Sequence, residues 1–168
     1  VYNTLPKSNF ELTIVGDVVL RQLCYNQAKK NMGISYLGPI YDRAALAEIL
    51  KKQDLLLLLS QRENHWEELF GIVIAEALVA GLPVITTFAT PWHSLENDLI
   101  GWCSEPTAEG VFCSLQKATS MPEDELEAMG LRAKSWAKQR FRWSSVGLQM
   151  LQFYDWMTNQ QDQPSFIV

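Results

Sequence analysis

Histidine and cysteine are scarce in this chain, with two and three copies among 168 residues. Cys24, Cys103 and Cys113 are odd in number and far apart, so they lack the close pairs of a zinc site. They read as reduced, structural thiols of a cytosolic protein. Positive charge is short as well: 14 basic against 19 acidic residues give a net charge of -5. With no basic run to follow a phosphate backbone, no nucleic-acid partner is expected. No signal peptide is expected at the start, and no apolar run is long enough to span a membrane. The longest apolar stretch, Leu69 to Trp92, is broken by Glu76, two glycine-marked turns and two prolines. Internal repeats and low-complexity segments are absent too.

What is present is apolar content of 48%, enough for one well-buried core in a chain too short for two ordinary enzyme domains. Phe10 to Val15 alternates with β-branched residues and ends at Gly16-Asp17, which predicts a strand running into a turn. Val19, Leu20, Leu23, Cys24 and Ala28 recur at helical spacing and predict a helix from Val18 to about Asn31. Ile34 to Leu37 reads as a short strand closing at Gly38-Pro39. Asp42 suits the N-cap of a helix through Lys52, with Ala45, Leu46, Ile49 and Leu50 on its buried face. Leu55 to Leu59 is a wholly apolar strand, of the kind found in parallel sheets covered on both faces. A helix from about Phe70 to Ala80 stops at Gly81, and a strand over Pro83 to Thr86 follows.

After Thr87, Gly101 to Cys103 predicts one more short strand, and the remainder reads as helical. Pro122 with Glu123, Asp124 and Glu125 opens a helix that runs to about Arg140, its acidic first turn matching the helix dipole. Phe141 to Trp143 breaks the pattern, and Ser144 is placed to cap a last helix ending at Trp156 or Met157. The expected architecture is α/β: a Rossmann-like doubly wound parallel sheet with helices on both faces, over residues 1–157, followed by a frayed tail at 158–168. Its ligand is expected beyond the carboxyl ends of the strands.

Chemistry concentrates between Leu69 and Trp92, where the one ionisable side chain is Glu76, on a helix whose neighbours Val73, Ile74, Ala77, Leu78 and Ala80 are apolar. A buried, unpaired carboxylate costs several kcal/mol, so Glu76 should point into a ligand cleft or meet a donor. Glu68 lies just before Phe70-Gly71, where the chain enters the helix. Gly71 allows close approach of a ligand to the backbone, and the first amides of the helix suit a phosphate or a sugar hydroxyl.

The order Glu68, Phe70, Gly71, Glu76, Ala77, Leu78, Gly81, Pro83, Val84, Ile85 resembles the signature of GT-B-fold glycosyltransferases of family 4, also called group 1. Further likeness lies in Phe10 to Asp17, Tyr36 to Ile40 and Lys51 to Ser60. Thr90-Pro91-Trp92, Leu95 and Gly101-Trp102 are similar to a subgroup of bacterial members, and Phe141-Arg142-Trp143 matches a Phe-x-Trp before the final helix. The resemblance implies the C-terminal, donor-binding half of a retaining enzyme. Such an enzyme moves a hexosyl unit from a nucleotide diphosphate sugar to a glycan or lipid-linked acceptor, in polysaccharide biosynthesis.

By the same resemblance, Glu76 is expected to bond the donor ribose and Glu68 to face the transferred sugar as the catalytic residue. Backbone amides at Phe70, Gly71 and Ile72 would hold the sugar and pyrophosphate, and the loops at Gly16-Asp17 and Gly38-Pro39-Ile40 would border the nucleobase. No cofactor and no metal are implied, in keeping with the lack of an Asp-x-Asp motif or a histidine cluster. About five extra residues precede Glu68, which makes Glu63 a rival for the first signature carboxylate and places Arg62, His65 and Trp66 beside the cleft or in an exposed loop.

The family carries a preceding strand and helix, with a diphosphate-neutralising Arg and Lys, and before them an acceptor-binding domain. Val1 to Lys7 resembles the end of that helix, so the chain is expected to be part of a longer cytoplasmic protein, docked at the inner membrane face through the absent domain. Alone it would bind nucleotide weakly and catalyse little, because transfer needs both reactants held together. His93 reads as a surface or helix-start residue, and Trp136, Trp143, Phe153, Tyr154 and Trp156 as core or interdomain contacts. The alternatives are a non-catalytic nucleotide-sugar-binding or scaffolding domain, and a GT-B-related nucleotide-sugar epimerase.

Overall fold

The computed structural model describes residues 10–17, 20–61, 70–158 and 161–167. Among them run β1 (Leu12–Val15), α1 (Arg21–Lys30), β2 (Ile34–Gly38), α2 (Arg43–Leu50), β3 (Leu56–Leu58) and α3 (Ile72–Ala80). Then follow β4 (Val84–Thr87), β5 (Gly101–Ser104), α4 (Ala108–Ser120), α5 (Glu123–Arg140) and α6 (Trp143–Met157). Every pairing is parallel: Leu12 lies opposite Ile34, Leu56 opposite Val84, and Val84 opposite Gly101. Parallel strands joined by helical crossovers give the expected α/β class.

The described strands form two sheets, β1 with β2 and β3 with β4 and β5. The chain passes from β2 through α2 to β3, where the second sheet begins.

Two apolar clusters flank the second sheet, and the alternation of β4 explains why. Val84 packs with Ile74, Ala77, Leu78, Trp92, Leu95 and Ile100 against Ala133 and Ala137 of α5. Its neighbour Ile85 points the other way and packs with Trp102, Val111, Leu115, Ala118 and Met129. Each fully buried aliphatic side chain here contributes about 1.5–3 kcal/mol. Contact between α3 and α5 is close because Gly130 lies against the turn after α3: a Cβ there would stand 2.2 Å from the Gly81 carbonyl oxygen.

Burial is weaker at the other end. No residue of α1 is fully buried, and Leu20 and Leu23 stay exposed, because α1 has only a two-stranded sheet to cover. Asp42 caps α2 as expected, accepting from the Ala44 amide at 2.9 Å, but of the predicted face only Leu50 is fully buried and Ala45 is exposed. The apolar β3 is half-buried rather than enclosed, since it lies at the edge of its sheet. At the last break Trp143 is already helical, so Arg142 rather than Ser144 is the N-cap of α6.

Candidate functional site

Within each of the two described sheets the strands are parallel, so the carboxyl ends of a sheet share one edge, where strand-end loops can meet a ligand. Gly16 and Gly38, predicted on two separate loops, are brought together: the Gly16 amide donates to the Gly38 carbonyl at 2.9 Å. Tyr36 Oη closes the same corner by donating to the Gly16 carbonyl at 3.1 Å. Asp17 is already engaged, its carboxylate paired with Arg21 one helical turn on. That hydrogen bond, with the charge of Asp17 behind it, raises the Arg21 pKa above its ordinary value. Pro39 is exposed and Ile40 half-buried beside them.

The second part of the candidate site is the start of α3. Gly71 caps it in the left-handed conformation, φ 69°, ψ 62°, which glycine adopts without the Cβ clash of other residues. The Gly71 carbonyl accepts from the Ile74 amide at 2.8 Å, so the helix begins tightly. First-turn amides lack partners inside the helix and carry its positive end. Ile72 and Glu76 are four residues apart and share a face, with Ile72 well exposed.

Glu76 is the one carboxylate on α3. Its side chain keeps 29% of its accessible surface, and Arg43 Nη1 stands 3.7 Å from its Oε1. Both options for this charge are therefore used in part: a cation on one side, solvent on the other. Through Arg43 the Gly38 loop and α3 are linked, since Arg43 opens the helix that follows Ile40.

Arg43 was given no role by the sequence reading, although a signal existed. A cation in the first turn of a helix opposes the dipole, so its place asks for another partner. Trp92 was likewise matched only as part of a motif. Its indole N–H donates to the Phe70 carbonyl, and its ring packs with those of Phe70, Trp136 and Phe141. Glu68, Glu63, Arg62, His65 and Trp66 lie outside the described residues. His93 is exposed, with its ring edge-on to Phe88. Among the described residues no cluster of His, Cys, Asp or Glu could hold a metal ion.

The pattern of a strand-end edge, a glycine-started helix and a half-exposed glutamate on it can be set beside known proteins. The family model described as glycosyl transferases group 1 matches residues 1–136. The chain belongs to that family.

The match takes in all five strands found among the described residues and leaves α6 outside. No curated protein sequence matches the chain. Among solved structures, this glycosyltransferase domain is similar to WaaG, a glycosyltransferase involved in lipopolysaccharide biosynthesis, with 24% identity and TM-score 0.67 over 83% of this chain and 38% of that one. Sucrose-phosphate synthase from Thermosynechococcus elongatus gives 20% identity and TM-score 0.66 over 90% of this chain and 39% of that one. Anabaena Alr3699/HepE, solved in complex with UDP, gives 20% and 0.67 over 87% and 41%. These likenesses establish the fold as one half of the GT-B architecture. The chain spans about two fifths of the length of these three.

Proposed function

We propose that this chain is the donor-binding half of a retaining glycosyltransferase that moves a hexosyl unit from a nucleotide diphosphate sugar to a glycan or lipid-linked acceptor. Glu76 carries the reading. It is a carboxylate held half-open on an otherwise apolar helix, close to the glycine-capped helix start, in a family of glycosyl transferases. A carboxylate accepts on both oxygens, so Glu76 can bond a ribose hydroxyl while keeping Arg43. The start of α3 then lies where amides and dipole favour the diphosphate, stabilising the charge that grows as the sugar leaves.

Glu68 is assigned to the transferred sugar, with Glu63 as its competitor, and the loops at Gly16-Asp17 and Gly38-Pro39-Ile40 to the nucleobase. No metal enters this scheme, and transfer is expected to persist in a chelator. Alr3699/HepE, solved with UDP and with UDP-glucose, supports a nucleotide sugar as the donor. Acceptor contact is assigned to a further domain of the same protein, whose expected setting is the cytoplasmic side of a membrane.

The test is transfer by the full-length protein with UDP-, GDP- and ADP-sugars, comparing Glu76→Ala and Glu68→Ala with the parent and fixing the product anomer. Loss of transfer with retained folding supports the assignment. Undiminished transfer in both variants sinks it. Donor binding without transfer identifies a scaffold, and an altered free nucleotide sugar identifies an epimerase.

A further inference from the structure

We propose that the Tyr41 ring is the platform on which the nucleobase of the donor stacks, so that this corner of the site selects for a planar aromatic base rather than for one particular base. The assignment rests on the reading of this chain as the donor-binding half and adds the side chain that meets the base.

Tyr41 is 88% exposed, and no described aromatic ring packs against it. A tyrosine ring is a large apolar body with only two side-chain torsions to order, so it gives up little entropy when it meets a flat partner. Single exposed apolar residues are ordinary on protein surfaces. What sets this one apart is its place.

The loop from Pro39 to Tyr41 is held at both ends. At its start the Gly38 carbonyl accepts from the Gly16 amide at 2.9 Å, and at its end Asp42 caps α2 through the Ala44 amide at 2.9 Å. At Gly16 and Gly38 an added Cβ would meet nothing within 4 Å, so there is room for a ligand where the two loops join. Arg43, two residues past Tyr41, has its Nη1 3.7 Å from Glu76 Oε1. Consecutive Cα atoms are about 3.8 Å apart, so the Tyr41 backbone lies within about 7 Å of that of Arg43. A nucleobase hangs from the sugar carbon next to the one bearing the 2′-hydroxyl, so the base of a ribose held on the Arg43 side of Glu76 comes within range of the ring. Carboxylates that would read one base by hydrogen bonds are already engaged here, Asp17 with Arg21 and Asp42 with its helix. Stacking needs none of them, since every base has a π-face, and a stacked base is worth about five- to hundredfold in affinity.

The experiment uses the full-length protein and compares the parent with Tyr41→Phe, Tyr41→Ala and Glu76→Ala. Binding of UDP, GDP and ADP is measured by calorimetry, and that of base-free ribose 5-diphosphate by ligand-observed NMR. Tyr41→Ala is expected to weaken every nucleotide that the parent binds about five- to twentyfold and to leave ribose 5-diphosphate within about twofold. Tyr41→Phe keeps the ring and should bind within about twofold of the parent. With so exposed a side chain, neither change should move the thermal midpoint by more than about 2 °C.

If Tyr41→Ala binds nucleotides like the parent while Glu76→Ala binds them poorly, the platform is wrong and the donor reading stands. Equal weakening of nucleotides and ribose 5-diphosphate in Tyr41→Ala also overturns the platform, because a loop distorted as a whole does not tell base from sugar. Tyr41→Phe binding as poorly as Tyr41→Ala does the same, since the hydroxyl and not the ring is then what matters. If the parent binds no nucleotide, or if neither Tyr41→Ala nor Glu76→Ala affects binding, the donor reading falls and takes the platform with it. If Tyr41→Ala alone weakens binding, and only of ligands that carry a base, the platform stands and the ribose assignment of Glu76 is lost.

Discussion

Arg43 Nη1 lies 3.7 Å from Glu76 Oε1, which ties the first residue of α2 to the middle of α3. The Arg43 side chain is 81% exposed, so this pair is screened by water and contributes well under 1 kcal/mol to folding. What it adds is a contact between the two helices, with the Glu76 carboxylate beside the first residue of α2.

That separation of stability from binding is measurable. Arg43→Ala should shift the thermal midpoint by no more than about 2 °C and weaken nucleotide binding at most about threefold. Glu76→Gln keeps the size and removes the charge, and should weaken binding about tenfold with little change in midpoint. Equal affinity of Glu76→Gln and the parent in calorimetry would contradict the ribose role.

Gly71 offers a graded test of the helix start. At φ 69°, ψ 62° an alanine costs about 1–2 kcal/mol, while asparagine tolerates this region better. Gly71→Ala should lower stability by that amount in denaturant titrations and reduce nucleotide affinity, and Gly71→Asn should lose less than half as much stability. Equal loss in both would mean that the left-handed conformation is not what the position requires.

Much of this was legible in the sequence. Glu76 declared itself as one charge in an apolar run, and Gly81 and Pro83 marked the turn between α3 and β4 because their backbone preferences act locally. Arg43 facing Glu76, and Trp92 on Phe70, join residues far apart in sequence, and only packing brings such pairs together. The start of α6 at Trp143 was misplaced because Ser144 is the better capping residue, yet Arg142 holds that position with no side-chain cap bond.

Gly130 should be intolerant of any side chain. Its missing Cβ leaves room for the Gly81 carbonyl, which would otherwise stand 2.2 Å away, and backbone cannot withdraw as a flexible side chain can. Gly130→Ala must push α5 from α3, where Ala133 and Ala137 are fully buried, at a cost of about 2–4 kcal/mol. A thermal midpoint within a degree or two of the parent would show that the two helices are not held as closely as described.

Cys103 gives the pH dependence. Burial in β5, then the charges of Glu96 and Glu105, push its thiol up from 9.0 to about 11. A raised thiol pKa means that between these values the unfolded chain has released its proton while the folded chain keeps it. Unfolding is then favoured by rising pH, so the contribution of Cys103 is intact below pH 9 and is lost progressively toward pH 11. Cys103→Ala should flatten that part of the stability profile relative to the parent. The thiolate is the reactive form, so at pH 8 a thiol reagent should modify exposed Cys113 well before buried Cys103, and unfolding should remove the difference. Labelling of Cys103 in the native protein as fast as Cys113 would contradict both its burial and the direction of its shift.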